Sequence, residues 1–124
     1  MHRSSAALLA AFAITIAVPA AAQSGSAEGA ALFKRRCSSC HADRPGQRSA
    51  MGPNLHGVVG EKAARTAYPY SPALKKSSLR WDAATLDRWL TRPGAVVPGT
   101  RMFTTVPSAE ERQKIIAYLS RSSR

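Results

Sequence analysis

Two cysteines and a histidine stand together in the segment Cys37-Ser38-Ser39-Cys40-His41. Thiols three positions apart, on a turn that follows a helix, reach the two vinyl groups of one porphyrin, and the histidine after them meets the iron from the same side. The segment therefore predicts a covalently attached haem.

Three other chemistries use a Cys-x-x-Cys pair. A thioredoxin-like dithiol is disfavoured because no βαβ pattern surrounds the segment. A zinc site would need further ligands at a recognisable spacing, and the chain has only 2 cysteines. A small structural disulfide in an exported domain also fits the spacing. Of the four chemistries, the histidine directly after the second cysteine favours haem attachment.

The first 22 residues are typical of a signal peptide. They combine a positive start at Arg3, an apolar run over residues 6–18 broken only by Thr15, and the small residues Pro19-Ala20-Ala21-Ala22. The apolar run is shorter than the ~20 residues that a membrane-spanning helix needs. We therefore expect cleavage after about Ala22, export to the periplasm, and one mature domain over residues 23–124.

The mature domain is small and basic. Without Arg3, the 18 Lys and Arg residues become 17 against 7 Asp and Glu residues, a formal net charge of +10. The basic residues are scattered rather than gathered on one helix, which argues against nucleic acid. The charge predicts an acidic protein partner or an anionic membrane surface, with solubility as the alternative explanation. A domain of this size has a marginal apolar core, and a buried porphyrin would add to it.

Helix signals account for much of the mature chain. Ser26 is predicted to cap a first helix that ends near Arg36 and places Gly29, Phe33 and Cys37 on one face. Glycine at position 29 would let another helix come close.

Three further helices are predicted, each with a capping residue in front of it. Ser71-Pro72 precedes a short helix over residues 73–76, Asp82 one over residues 83–92, and the capping box Ser108 to Glu111 the last. Pro93-Gly94 is expected to end the third helix, and residues 94–107 show no helical or strand period. No convincing strand pattern appears anywhere, so we expect an all-α fold whose long ordered loops wrap something large and rigid.

The order and spacing of several motifs resemble class I cytochrome c, the monohaem electron carriers, over essentially the whole mature chain. The motifs are Gly29-x-x-x-Phe33-x-x-x-Cys37-x-x-Cys40-His41, Gly52-Pro53-Asn54-Leu55-His56-Gly57, Tyr68-Pro69-Tyr70-Ser71, Trp81, Leu86-x-x-Trp89-Leu90, Pro93, Pro98-Gly99-Thr100-x-Met102 and Ile115-Ile116-Ala117-Tyr118-Leu119. The resemblance implies a small cytochrome c fold, with three main helices, a short helix and ordered loops around one covalently bound haem c.

The resemblance also implies roles for individual residues. Cys37 and Cys40 would form the thioethers, His41 and Met102 would be the iron ligands, and the Pro53 carbonyl would orient His41. The residues implied to hydrogen-bond toward the haem propionates are Tyr70, Trp81 and Thr100. Gly29 and Phe33 would meet Tyr118 and Ile115 where the first and last helices cross.

The chain departs from the resemblance at several positions. Glu61 stands where many relatives carry an arginine that pairs with a propionate, so Lys62 or Arg65 would have to substitute. Leu74 stands for a common asparagine and Trp89 for a common tyrosine, changes expected to remove polar groups near Met102. His56 and Met51 are weaker candidates for the iron, because both flank the Gly52-Pro53 turn on the His41 side.

Taken together, these residues predict a monomeric periplasmic carrier that passes single electrons between redox proteins of a respiratory or dehydrogenase chain. The basic groups expected to surround the haem edge and meet acidic partners are Lys34, Lys75, Lys76 and Arg101. Two alternatives stay open from the sequence: a haem enzyme in which Met102 is labile and peroxide or a gas binds, and a subunit of a larger dehydrogenase.

Overall fold

A computed structural model of the chain describes residue 14 and residues 20–49 and 51–123. Its helices are α1 (Ala20–Arg36), α2 (Pro72–Lys76), α3 (Ala83–Thr91), α4 (Pro93–Val96) and α5 (Ala109–Arg121). Within those residues the only β pairing is an isolated bridge between Lys62 and Arg80. The predicted all-α fold is confirmed, with two short helices rather than one beside the three longer ones.

Three helices begin at the predicted capping residues. The side chains of Ser71, Asp82 and Ser108 accept hydrogen bonds from the backbone N–H three residues further on, at 3.2, 2.7 and 3.3 Å. Each bond satisfies a donor that the first turn of a helix leaves without a partner. These helix starts are therefore set by local chemistry.

Other helix boundaries differ from the sequence prediction. Ser26 lies inside α1 rather than at its start, since alanines favour helix and extend α1 back to Ala20. Pro93-Gly94 ends α3 as expected but also begins α4, because proline suits the first position of a helix. The Glu111 carboxylate binds Arg36 of α1, with Nη2 to Oε2 at 2.7 Å, instead of returning to the backbone of Ser108.

Helices α1 and α5 cross at Gly29, as the sequence predicts. A Cβ at this position would lie 2.5 Å from the Lys114 carbonyl oxygen and 2.9 Å from the Cβ of Tyr118. Phe33 packs on Tyr118 with the ring centroids 5.7 Å apart, and Ile115 in the same core is fully buried. The crossing fixes the end of α1, and with it Cys37, against the core.

The predicted signal peptide, residues 1–22, lies for the most part outside the described residues. Across the part of the chain that is described, no helix has both the length and the apolar character that a membrane span requires.

Candidate haem site

The two cysteines lie on a single turn that continues directly from α1. The amides of Cys37 and Ser38 donate to the Phe33 carbonyl at 2.8 and 3.0 Å, and those of Cys40 and His41 donate to the Cys37 carbonyl at 3.0 and 2.9 Å. Both cysteines are free and half-buried. Burial raises the pKa of the Cys37 thiol to about 11, although the Arg36 charge opposes the shift, so this group is neutral at physiological pH.

The imidazole of His41 is held in one orientation by the loop that follows it. Its Nδ1 lies 2.8 Å from the carbonyl oxygen of Pro53. Because a carbonyl only accepts, Nδ1 carries the proton and donates, which leaves the lone pair of Nε2 for a metal. Burial lowers the pKa of His41, against the opposing effect of the Pro53 carbonyl, and so favours the neutral form that binds metal.

Gly52 allows this loop to lie against the histidine ring. A Cβ at position 52 would come within 2.4 Å of Cε1 and 2.6 Å of Nδ1 of His41. The Gly52 amide also donates to the Cys40 carbonyl at 2.8 Å. The ring is therefore enclosed by backbone, and any larger residue at position 52 would displace it.

The sulfur of Met102 receives a hydrogen bond from Trp89. The indole Nε1 lies 3.1 Å from Sδ, and the Met102 amide donates to the Thr100 hydroxyl at 3.3 Å. Trp81 packs edge-on against Trp89 with the ring centroids 5.0 Å apart. The expectation that tryptophan in place of tyrosine removes a polar group near the thioether is therefore wrong, because the indole N–H takes that place. The sequence carried the signal, since an indole is a donor as well as an apolar ring.

One cavity of about 340 Å³ brings the predicted site residues together. Its volume falls within the range of roughly 300–1,000 Å³ that ligand pockets occupy. The site residues that line it are Cys37, Cys40, His41, Pro53, Tyr70, Trp81, Thr100 and Met102. Apolar side chains of the core, among them Leu74, Leu86, Leu90 and Ile115, form its walls. Two thiols, an imidazole nitrogen and a thioether in an apolar cavity fit a covalently attached haem.

The weaker candidates for the iron lie less favourably. Met51 lines the cavity but is 68% exposed, and His56 is not among the lining residues. Among the described residues no group of three or more His, Cys, Asp and Glu side chains is arranged to hold a metal ion, so the zinc interpretation of the cysteines finds no ligand set.

Three arginines line the cavity: Arg36, Arg65 and Arg101. The sequence indicated a role near the haem for Arg65 and Arg101 but not for Arg36. Arg65 also donates to the carbonyl of His56, and Arg101 donates to that of Pro69 at 3.1 Å. Glu61 and Lys62 are exposed and do not line the cavity, so of the two predicted substitutes, Lys62 and Arg65, only Arg65 lies at the cavity.

Of the four basic groups expected around the haem edge, only Arg101 lines the cavity. Lys34, Lys75 and Lys76 are exposed to solvent. On α2 it is the buried Leu74 that lines the cavity, and the two lysines that follow it are turned to the surface. The three lysines therefore do not form part of the cavity lining.

Comparison with known proteins decides the family. A family model described as cytochrome c oxidase, cbb3-type, subunit III matches residues 25–119. Cytochrome c2 of Rhodomicrobium vannielii is 43% identical over 95 residues, which is 75% of this chain and 75% of that protein. The chain belongs to the class I cytochrome c family. Cytochrome c of Nigella damascena is 37% identical over 79% of this chain and 90% of its own length.

The fold agrees with this assignment. Cytochrome cH of Methylobacterium extorquens superimposes with a TM-score of 0.70 at 41% identity, over 77% of this chain and 97% of that one. As a class I cytochrome c, the chain binds haem c covalently, and Cys37 and Cys40 supply the attachment motif. It is an electron carrier rather than an enzyme, as its relatives are, and the dithiol, zinc and disulfide interpretations of the cysteines no longer stand.

Proposed function

We propose that this cytochrome c is a periplasmic shuttle whose iron ligands are His41 and Met102. The observation that supports the ligand set is that one cavity is lined by both cysteines, by the oriented His41 and by Met102. Haem c, when bound there, supplies an iron that gains and loses one electron. Since side chains would fill both remaining positions on the iron, dioxygen and peroxide have no site to bind.

Each ligand is held by a neighbour that suits its role. The Pro53 carbonyl fixes the tautomer of His41, and Gly52 allows the loop to reach it. For Met102, the Thr100 hydroxyl accepts from its amide and the Trp89 indole donates to its sulfur. Ligands that are already oriented cost little reorganisation when the charge of the site changes, which suits rapid electron exchange.

Tyr70, Trp81 and Thr100 are proposed to hydrogen-bond toward the haem propionates. Tyr70, Trp81 and Thr100 all line the cavity, and the Tyr70 hydroxyl lies 2.6 Å from Oγ1 of Thr66. Arg65 is proposed to supply the positive charge that Glu61 does not, because it lines the cavity and Lys62 does not.

Export is proposed from the leader alone. Residues 1–22 have the basic start, apolar run and small residues that a signal peptidase recognises. Sequencing the amino terminus of the protein from a periplasmic fraction tests the proposal. Absence of the protein from that fraction would contradict export, and an intact Met1 on the exported protein would contradict cleavage.

A hydrogen bond to Met102 is expected to affect the reduction potential. Trp89→Phe keeps an aromatic ring but removes the N–H that lies 3.1 Å from Sδ. The bond withdraws electron density from the sulfur, so its loss should stabilise the ferric protein and lower the potential. One hydrogen bond contributes about 1 kcal/mol net, which sets an upper limit of about 40 mV for one electron. Voltammetry of the holoprotein measures this shift.

Trp89→Tyr is the comparison for this prediction, because it changes the ring but keeps a donor. Its potential is expected to lie nearer that of the parent. Equal potentials for the parent and Trp89→Phe would show that the hydrogen bond has no influence on the iron.

The partners are proposed to be acidic redox proteins that meet a monomer of this carrier by electrostatic steering. The mature charge of +10 follows from the sequence, and Arg65 and Arg101 place positive charge at the cavity, whereas the charge of Arg36 is paired with Glu111. Such steering raises association rates by roughly 10- to 1,000-fold at low ionic strength. A peripheral contact with an anionic membrane surface would use the same charge.

Electron transfer to an acidic partner is therefore expected to slow by about tenfold or more between low and high salt, as screening shortens the Debye length to about 8 Å at physiological strength and less above it. Stopped-flow mixing of the reduced protein with the partner measures the rate. Arg101→Gln should slow the reaction more than Lys76→Gln, which removes an equal charge away from the cavity. Rates that do not change with salt would leave the charge without a role in docking.

A further inference from the structure

Arg112 is a buried cation that the proposed function does not use. It lies on α5 with 9% of its surface exposed. Its Nε donates to Oδ1 of Asp87 on α3 at 2.7 Å, and its Nη1 donates to the carbonyls of Val106 and Pro107 at 3.0 and 2.8 Å. One guanidinium thus joins two helices and a loop.

Arg112 binds the same loop that carries Met102. Residues 103–105 are exposed, whereas Val106 is 1% exposed and its amide donates to the Leu90 carbonyl at 2.7 Å. At the other end, Trp89 and Thr100 hold Met102 itself. The segment is therefore held at Met102 and again at Val106 and Pro107, with an exposed stretch between them. Arg112 donates two of the hydrogen bonds that hold Val106 and Pro107.

A buried guanidinium needs its partners. Removing a cation from water is costly unless a counter-charge and acceptors replace the water. The partners of Arg112 do this, but an apolar residue of similar length would pack here without the cost. What an apolar residue lacks is a planar fork of donors that reaches a carboxylate and backbone carbonyls together. The arrangement thus specifies where the loop lies.

We propose that Arg112, held by Asp87, is a positioning residue for Met102. The inference rests on the proposed function, in which Met102 is an iron ligand. By fixing the Val106 and Pro107 carbonyls, the guanidinium limits excursions of the exposed stretch and so keeps the sulfur against the cavity. Without it, the loop opens more often and an added ligand competes better for the place of Met102.

The test uses imidazole as the competing ligand on the ferric holoprotein. Imidazole binds only when Met102 has left, so its apparent affinity reports the population of the open loop. Titration is followed by loss of the far-red methionine-to-iron band. Arg112→Lys keeps the charge beside Asp87 but lacks the fork that also reaches the two carbonyls, and a hydrogen bond from a charged group is worth about a factor of ten or more. We expect imidazole to bind about tenfold or more tightly, and the Val106 amide to exchange with solvent faster by a similar factor.

Two further variants complete the design. Asp87→Asn, at a side chain that is 43% exposed, keeps the carbonyl bonds and is expected to give a smaller effect with little risk to folding. Lys114→Gln is the matched control, because Lys114 also lies on α5 and binds Glu28 and Glu110, away from the loop. It should lower stability without changing imidazole affinity.

The outcomes are distinct. One result would overturn the positioning role. In it, Arg112→Lys and Asp87→Asn both lower the denaturation midpoint but leave the imidazole affinity and the exchange rate of the Val106 amide unchanged, which would show that Arg112 only stabilises the fold. A parent protein without the methionine band would overturn the ligand assignment itself, and the positioning role with it.

Discussion

Replacing Cys37 and Cys40 together by serine is expected to abolish the holoprotein. The two thiols are the only cysteines of the chain and lie on the turn that opens into the cavity. Serine cannot form a thioether, so the group that fills the cavity would have no covalent attachment. Side chains such as Leu86, Leu90 and Ile115 would then lose the group that they pack against in the cavity of about 340 Å³. Burial of apolar surface contributes roughly 25 cal/mol for each Å², so its loss around the haem is expected to cost several kcal/mol, and with it the fold.

The measurement is a haem stain on a denaturing gel after extraction with acid and acetone, together with circular dichroism of the same preparation. The parent should keep its stain, and the double variant should show neither stain nor helix. Ser38→Ala with Ser39→Ala is the matched control in the same turn and should keep both. Haem that leaves the parent with the organic phase would refute covalent attachment.

The parts of the fold that follow from short-range chemistry were predictable. A serine or aspartate in front of an apolar stripe caps a helix wherever the chain goes, so the starts of α2, α3 and α5 could be placed from the sequence. Gly29 likewise indicated a close helix crossing, which the contact with the Lys114 carbonyl confirms. In each of these cases the residue type restricts the local structure to few conformations.

The contacts that could not be predicted join residues that only the folded chain brings together. Glu111 binds Arg36, 75 positions away, in place of the capping contact that its own helix offered. Arg112 reaches Asp87, 25 positions away, and nothing in the local sequence distinguishes it from a surface arginine. For Trp89, the spacing indicated a core residue correctly, but the second role of the indole depends on where the loop places Met102.

The surroundings of His41 and of Met102 are built differently, and this affects how each responds to substitution. His41 follows the end of α1 and contacts the backbone of Gly52 and Pro53. Few side-chain substitutions can therefore change the orientation of its ring. Met102 lies on an irregular segment and depends on side chains, those of Trp89 and Thr100 directly. With Met102 as the proposed iron ligand, substitutions that change the reduction potential should therefore act mostly through the surroundings of Met102.

Met102→Ala is expected to change the spectrum and the reduction potential of the iron strongly while the haem stays attached. It should abolish the far-red band and lower the reduction potential on the order of a hundred millivolts or more, because the identity of the axial ligands sets haem potentials over about 0.8 V. It should also give peroxidase activity that the parent lacks, since a position on the iron becomes open. Electronic spectra, voltammetry and a peroxidase assay of the same preparation measure the three effects.

Met51→Ala is the matched control, because it removes the other methionine that lines the cavity. Met51 is 68% exposed at the rim and precedes Gly52, which is packed on His41, so it lies on the histidine side. Its replacement should leave band, potential and peroxidase activity unchanged. If Met102→Ala kept the spectrum and potential of the parent, the axial assignment would be wrong. If Met51→Ala lost the band instead, the ligand would come from the loop that orients His41, and the arrangement of Trp89, Thr100 and Arg112 would have no bearing on the iron.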